Sequence, residues 1–247
     1  MKNTKSAIIK SSSLIIISLI IGLLLKTTFD NVFNYISSIN VTGSAKTDFT
    51  SDIIVWECIF RSENMILDEA YNKLEEDKKN IITFLKDNEV PLEDAIFTSI
   101  KISEEYENKT DRDGIRFREF TGYVLTQNLK IESKAVNEIE RISRDVTSLI
   151  NKGISIQSRE PYYFYSKLAD LKIDMISQAT KDAKLRAEMI AESSKSILGK
   201  LLTAKMGVFQ IIAKNSTENY SWGGRHNKTS KHKTATVTMK LEYAIEG

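Results

Sequence analysis

The sequence predicts an α+β fold: largely antiparallel sheets with long helices packed on one face, preceded by one N-terminal transmembrane helix. Three observations carry this. Runs of β-branched and aromatic residues recur between polar, turn-like stretches, as strands require. Between them lie apolar stripes with a period close to 3.6 residues, the mark of helices with one buried face. Near the start, an uncharged apolar run is bounded by lysines, the layout of a membrane-targeting segment.

Composition sets the outer limits. The chain has 247 residues, 41% hydrophobic and 28% charged, too apolar for a disordered chain and long enough for a sizeable core. The net charge of +2 comes from nearly balanced acids and bases, which argues against a dedicated nucleic-acid binder. The lone cysteine, Cys58, excludes an intrachain disulfide and sits in an apolar run as a small buried hydrophobe would.

Taken in order, Lys2, Lys5 and Lys10 precede the apolar residues 11–25, and Lys26 closes the run. Neither a small-x-small cleavage site nor a lipoprotein cysteine comes after it, which favours a retained anchor over a cleaved signal. The excess of lysines before the run keeps the N-terminus cytoplasmic and exports the remainder of the chain. Residues 1–26 are therefore the anchor or uncleaved signal, 27–38 a tether, and 39–247 the exported domain.

Strands are expected at 39–45 and 53–60. A helix follows to about Asn88, capped by Asn64, with Leu67, Ala70, Tyr71, Leu74, Ile81, Ile82 and Leu85 along its stripe and Pro91 marking its exit. A strand around Ile96 to Ile102, a charged loop 104–114 and a long strand 117–131 come next. The second half opens with a helix over 134–151, stopped by Gly153, then a strand over 154–164. The longest helix, 166–198, ends at Gly199. Strands 201–212 and 234–244 flank a polar loop, 214–233. A helix followed by two strands thus occurs twice, which suggests a duplicated αββ unit.

The longest helix carries Ala179, Ala183, Ala187 and Ala191 at four-residue intervals, a ridge of small side chains that allows close packing. The stretch Ala179-Thr180-Lys181-Asp182-Ala183-Lys184-Leu185-Arg186-Ala187-Glu188-Met189-Ile190-Ala191, followed by Leu198-Gly199-Lys200-Leu201, resembles the most characteristic segment of the SIMPL-domain family. Three further places agree in order. They are Val41-Thr42-Gly43-Ser44-Ala45 with Asp52 to Trp56, Gly122-Tyr123 through Leu129-Lys130-Ile131, and Gly153-Ile154 into Pro161-Tyr162. The resemblance implies a bacterial envelope protein, exported to the periplasm, linked loosely to oxidative-stress defence and forming ring-like or channel-like oligomers. It implies no catalytic or cofactor residues.

The chemistry-bearing residues agree. His226 and His232 both fall in loop-like sequence, away from any nucleophile and acid in a structured site. Trp222-Gly223-Gly224-Arg225 lacks the Lys-Ser/Thr of a phosphate-binding loop. Acids such as Glu75-Glu76 and Glu104-Glu105 read as solubilising charge. No catalytic residue, cofactor or metal site is expected, and the chain is not expected to be an enzyme. One surface does stand out: Tyr220, Trp222, Arg225, His226, Lys228 and Lys231 interleave aromatic and cationic groups in the polar loop. The leading expectation is a membrane-anchored, non-enzymatic envelope protein that self-associates. The alternative is a binding module for a small molecule or envelope polymer acting through this loop.

Overall fold

The computed structural model describes residues 18–24, 26, 37–217 and 221–246. Residues 18–24 and 26 are helical; positions 11–17 and 25 of the expected span lie outside the described residues. Among the described residues, no helix is long and apolar enough to cross a membrane.

The elements run β1 (Ser38–Thr50), β2 (Ile53–Asn64), α1 (Leu67–Asp87), a 3-10 turn (Leu92–Asp94), β3 (Ala95–Phe97), β4 (Lys101–Thr110) and β5 (Arg116–Ser133). Then come α2 (Val136–Asp145), continuing as 3-10 helix through Lys152, β6 (Ser155–Ser158), β7 (Tyr162–Phe164), α3 (Leu168–Ser193), β8 (Ile197–Met206), β9 (Gln210–Ala213) and β10 (His232–Glu246). The chain divides into two compact units: Ser44–Ala179 with Gly207–Thr238, and Met1–Gly43 with Thr180–Met206 and Met239–Gly247. The fold is the α+β class with antiparallel sheets that the residue patterns predict.

The larger unit is organised by β2. Its burial alternates, with Ile54, Trp56, Cys58 and Phe60 all at 0% exposure, as a half-buried strand demands. β5 pairs with it in one unbroken antiparallel register, from Ile54 opposite Ser133 to Asn64 opposite Tyr123, and β6 and β7 pair along its other edge. Ala70, Leu74, Ile81 and Leu85 of α1 and Val136, Ile139 and Ile142 of α2 join this face in one core. Burying side chains of this size stabilises by roughly 1.5–3 kcal/mol each. Burial also pushes the Cys58 thiol up to about 12, so the cysteine behaves as the expected inert hydrophobe. The α1 stripe holds one residue that periodicity passes over: Asp77, 1% exposed, sits at a core-facing position and accepts a hydrogen bond from Lys73 Nζ at 2.8 Å.

Beyond Tyr123, residues 116–122 of β5 pair only with β4, making a two-stranded arm whose β4 residues are almost all exposed. This corrects the charged loop 104–114, of which all but the tip is strand. With neither face of β4 covered, its sequence shows no apolar alternation to announce it. The strand expected around Ile96 to Ile102 is broken between β3 and β4. There the Thr98 hydroxyl accepts from Asn128 N–H, and its carbonyl accepts from Gln127 Nε2. At the arm's base, Gly122 has φ +143°, and a Cβ there would lie 2.8 Å from the Asn64 carbonyl oxygen.

Helix α1, α2 with its 3-10 extension, and α3 each end on a left-handed residue with the same paired bonds. After α1, Glu89 (φ 60°) is flanked by Glu89 N–H to Lys86 O and Val90 N–H to Leu85 O. After the 3-10 segment, Gly153 (φ 77°) donates to Ile150 O and Ile154 to Leu149 O. After α3, Lys195 (φ 56°) donates to Glu192 O and Ser196 to Ala191 O. These bonds satisfy carbonyls that a helix end leaves open. Gly153 is where it was expected. Gly199 is not the stop of the longest helix: it lies within β8, where a Cβ would come within 3.0 Å of the Ala244 carbonyl oxygen. Asn64 does not cap α1 directly; its Oδ1 accepts from Ile66 N–H at 2.9 Å, in the turn before the helix.

The expected strand 201–212 is likewise two strands. They part at Gly207, whose N–H donates to Thr238 O and whose missing side chain leaves room for Thr238. In the smaller unit, β8 pairs with β10 from Met206 opposite Met239 to Ile197 opposite Glu246. Glu242 ties the neighbouring strands together, accepting from Ser38 Oγ at 2.8 Å and from Thr203 Oγ1 at 3.0 Å. Along α3, Ala179 in the larger unit and Ala183, Ala187 and Ala191 in the smaller are all buried. Leu185 and Met189 are exposed, so the ridge of small residues faces protein.

Candidate functional site

The basic-aromatic loop belongs to the larger unit, and it is strapped down. Gln210, 4% exposed, is its clamp: Nε2 donates to Ser221 O at 2.5 Å and Oε1 accepts from Arg225 N–H at 3.0 Å. Ile211 N–H donates to Arg225 O, and Asn227 N–H to Ile211 O. Tyr163 N–H donates to Lys228 O at 2.7 Å, and Ser230 N–H to Asn227 Oδ1. Gly224 (φ 84°) sits where a Cβ would come within 2.8 Å of Val208. A segment with this many main-chain anchors presents its side chains in a fixed frame.

Of the residues singled out from sequence, Tyr220 lies outside the described residues. Trp222 is 90% exposed, and Arg225, His226 and Lys228 are exposed around it in sequence. Lys231 plays a different part. Its Nζ donates to Glu140 Oε2 at 2.8 Å and to Asn137 Oδ1 at 2.7 Å, fastening the loop's exit to α2, and Lys231 holds the Glu140 carboxyl below the ordinary glutamate range.

The local field is positive. Burial, then Lys233, Lys172 and Lys228 in turn, lower the His226 pKa from its ordinary value. Lys172, on α3, also places its Nζ 5.6 Å from the Phe209 ring centroid, a cation–π distance. Lys233, taken from sequence as part of the loop, is instead in β10. It is 1% exposed, its Nζ donates to Tyr163 O at 2.6 Å, and burial lowers its ammonium to about 8. Sequence reasoning missed Lys172, Gln210 and Glu140, which lie on regular elements, and Phe209, which lies in the break before β9; none carries a motif.

The second histidine meets a hydroxyl rather than an acid. His232 Nδ1 lies 3.0 Å from Thr50 Oγ1, but the nearby Asp48 carboxylate accepts from Thr234 Oγ1 at 2.7 Å and pairs with Lys214 at 3.0 Å. Among the described residues, no group of three or more His, Cys, Asp or Glu side chains could hold a metal ion.

Fold and site together define an antiparallel α+β protein that offers a strapped basic-aromatic surface. The chain belongs to the SIMPL family: the model of that family, described as a protein of unknown function (DUF541), matches residues 39–243. No curated protein matches the chain.

Proposed function

We propose that this protein is a membrane-anchored, non-enzymatic envelope protein that works by self-association. Residues 11–25 hold it in the membrane with the N-terminus cytoplasmic, and residues 39–247 act on the far side. The observation that carries self-association is the apolar surface of the smaller unit. Ile197, Leu201 and Met206 of β8 are each about half exposed or more, and exposed apolar side chains along one strand mark a surface meant to be covered. The repeated order of helix, broken strand and long strand supports an ancestral duplication. A part in oxidative-stress defence rests on the family resemblance; the inert Cys58 thiol puts any such part elsewhere than cysteine chemistry.

The test is the mass of the full chain in detergent micelles by light scattering, with the micelle contribution subtracted. A protein mass of two or more chains is expected, and a single chain at high concentration overturns the reading. Mass spectrometry of the membrane-extracted protein is expected to find residues 1–26 still attached.

A second reading has one observation in its favour: every charged neighbour acting on His226 is a lysine, so the loop suits an anionic small molecule or envelope polymer. Lys172→Ala with Lys228→Ala is the sharper probe, because deleting the whole loop would also remove the Lys231–Glu140 fastening. Unchanged retention of an anionic polysaccharide by that variant would end this reading.

A further inference from the structure

Two ten-residue strands form open edges among the described residues, β4 on β5 and β8 on β10. An open edge is a row of unpaired N–H and C=O groups, and proteins that stay single blunt it with charge. β4 carries five charges, Lys101, Glu104, Glu105, Glu107 and Lys109. β8 carries two, Lys200 and Lys205, among Ile197, Leu198, Leu201, Leu202 and Met206.

The register of β8 on β10 shows where cover is missing. Paired residues of antiparallel strands lie on the same sheet face. Met239, Leu241 and Tyr243 of β10 are buried, but Met206, Ala204 and Leu201 directly opposite them are exposed. The same face is closed at β10 and open at β8. An occupant must therefore continue the ladder and also cover the apolar overhang.

We propose that this occupant is β8 of a second copy of the chain, paired antiparallel about a twofold axis that passes between the two copies of Leu201, perpendicular to the sheet. This rests on the self-association reading above and names its surface. In that register Leu201 faces Leu201, Lys200 faces Leu202, Gly199 faces Thr203, Leu198 faces Ala204 and Ile197 faces Lys205. No lysine opposes a lysine. On β4 the two central registers of this kind set Glu105 against Glu105 or against Glu107. Like charges directly opposed destabilise a strand pair, so self-pairing is disfavoured on β4 and unopposed on β8. The contact is isologous, which closes at a dimer through this edge.

The test uses the full chain in detergent micelles, oxidised with copper phenanthroline. Cys58, at 0% exposure, is silent. Leu198→Cys and Ala204→Cys chains are made separately and mixed. The disulfide-linked dimer is expected in the mixture and in neither variant alone. Leu201→Glu, which sets glutamates face to face at the axis, is expected to raise the dimer dissociation constant by at least about tenfold while circular dichroism stays unchanged. If the wild type associates but the mixture gives no heterodisulfide and the glutamates change nothing, β8 is not the surface and self-association stands. A monomeric wild type removes both. A monomer whose β8 amides resist hydrogen exchange assigns the edge to the chain's own residues 27–36 and overturns the proposal.

Discussion

β4 and β8 have the same length and the same kind of position, each hydrogen-bonded along one side only among the described residues, and opposite chemistry. On β4 the charges are organised. Glu107 and Glu119 face each other across the arm, and Lys109 pairs with both. The other arm face gathers Tyr106, Phe120 and Arg118, with Arg118 4.6 Å from the Tyr106 ring centroid. On β8 nothing comparable protects the apolar side chains. Exposure alone therefore does not make a docking edge; what separates the two strands is whether the exposed edge repels its own copy.

The largest effect comes from removing that protection. Glu105→Val with Glu107→Val should turn β4 into an unguarded edge, so that the variant shifts to high-mass aggregates in light scattering. A variant as well behaved as the wild type would break the comparison. Next in size is Gly122→Ala at the base of the arm. Its left-handed φ and the Asn64 carbonyl leave no room for a side chain, and the expected loss is about 2 kcal/mol, a fall in Tm of about 4–8 °C. The β8 crosslink should survive that change, since Gly122 acts only on the arm.

Charge placement can be sharpened by contrast with Lys233, a buried lysine where β4 has solvated ones. An unfolded lysine keeps its proton to about pH 10.5 and the folded Lys233 only to about 8. Between those values the unfolded chain binds more protons, so this residue makes stability rise with pH from about 8 to 10.5. Lys233→Met should remove that rise from the difference in Tm between the two proteins, and an unchanged profile would reassign the titration. The smallest effect belongs to Lys109→Ala. Lys109 and Glu119 are both nearly half exposed, so solvent screens the pair and chemical denaturation should register no shift of the midpoint beyond its error.

Much of the fold was legible in the residues themselves. Ala70, Leu74, Ile81 and Leu85 of the α1 stripe, the long β5 strand, the buried Cys58 and the stop at Gly153 follow from period and from one glycine, whereas Leu67 and Tyr71, placed on the same stripe, are exposed. What stayed hidden has local physical causes. Glu89 and Lys195 adopt the left-handed conformation with nothing in their side chains to announce it, so one helix ended at Ser193, six residues before Gly199. The strand breaks at residues 98–100 and 207–209 are set by partners on distant strands, Asn128 and Thr238. For the candidate site, composition pointed to the aromatic and cationic loop. The strap that fixes it, made by Gln210, Tyr163 and Glu140, is a product of tertiary structure alone. β8 was visible only as an apolar strand, because an open edge is a property of the sheet.

The smaller unit also carries an instruction about time. The hydroxyl of Ser38 meets the carboxylate of Glu242 across 204 residues of chain, and β8 finds its only described partner strand in β10. During synthesis, β1 must wait for nearly the whole chain to emerge, and β8 stands without its neighbour until β10 arrives. The larger unit can already bury β2 against α1, β5 and α2 by then. Late closure of this kind is slow, and it leaves the least protected strand uncovered for longest. The protein would then meet its own copies, or its chaperones, at this strand before its fold is finished.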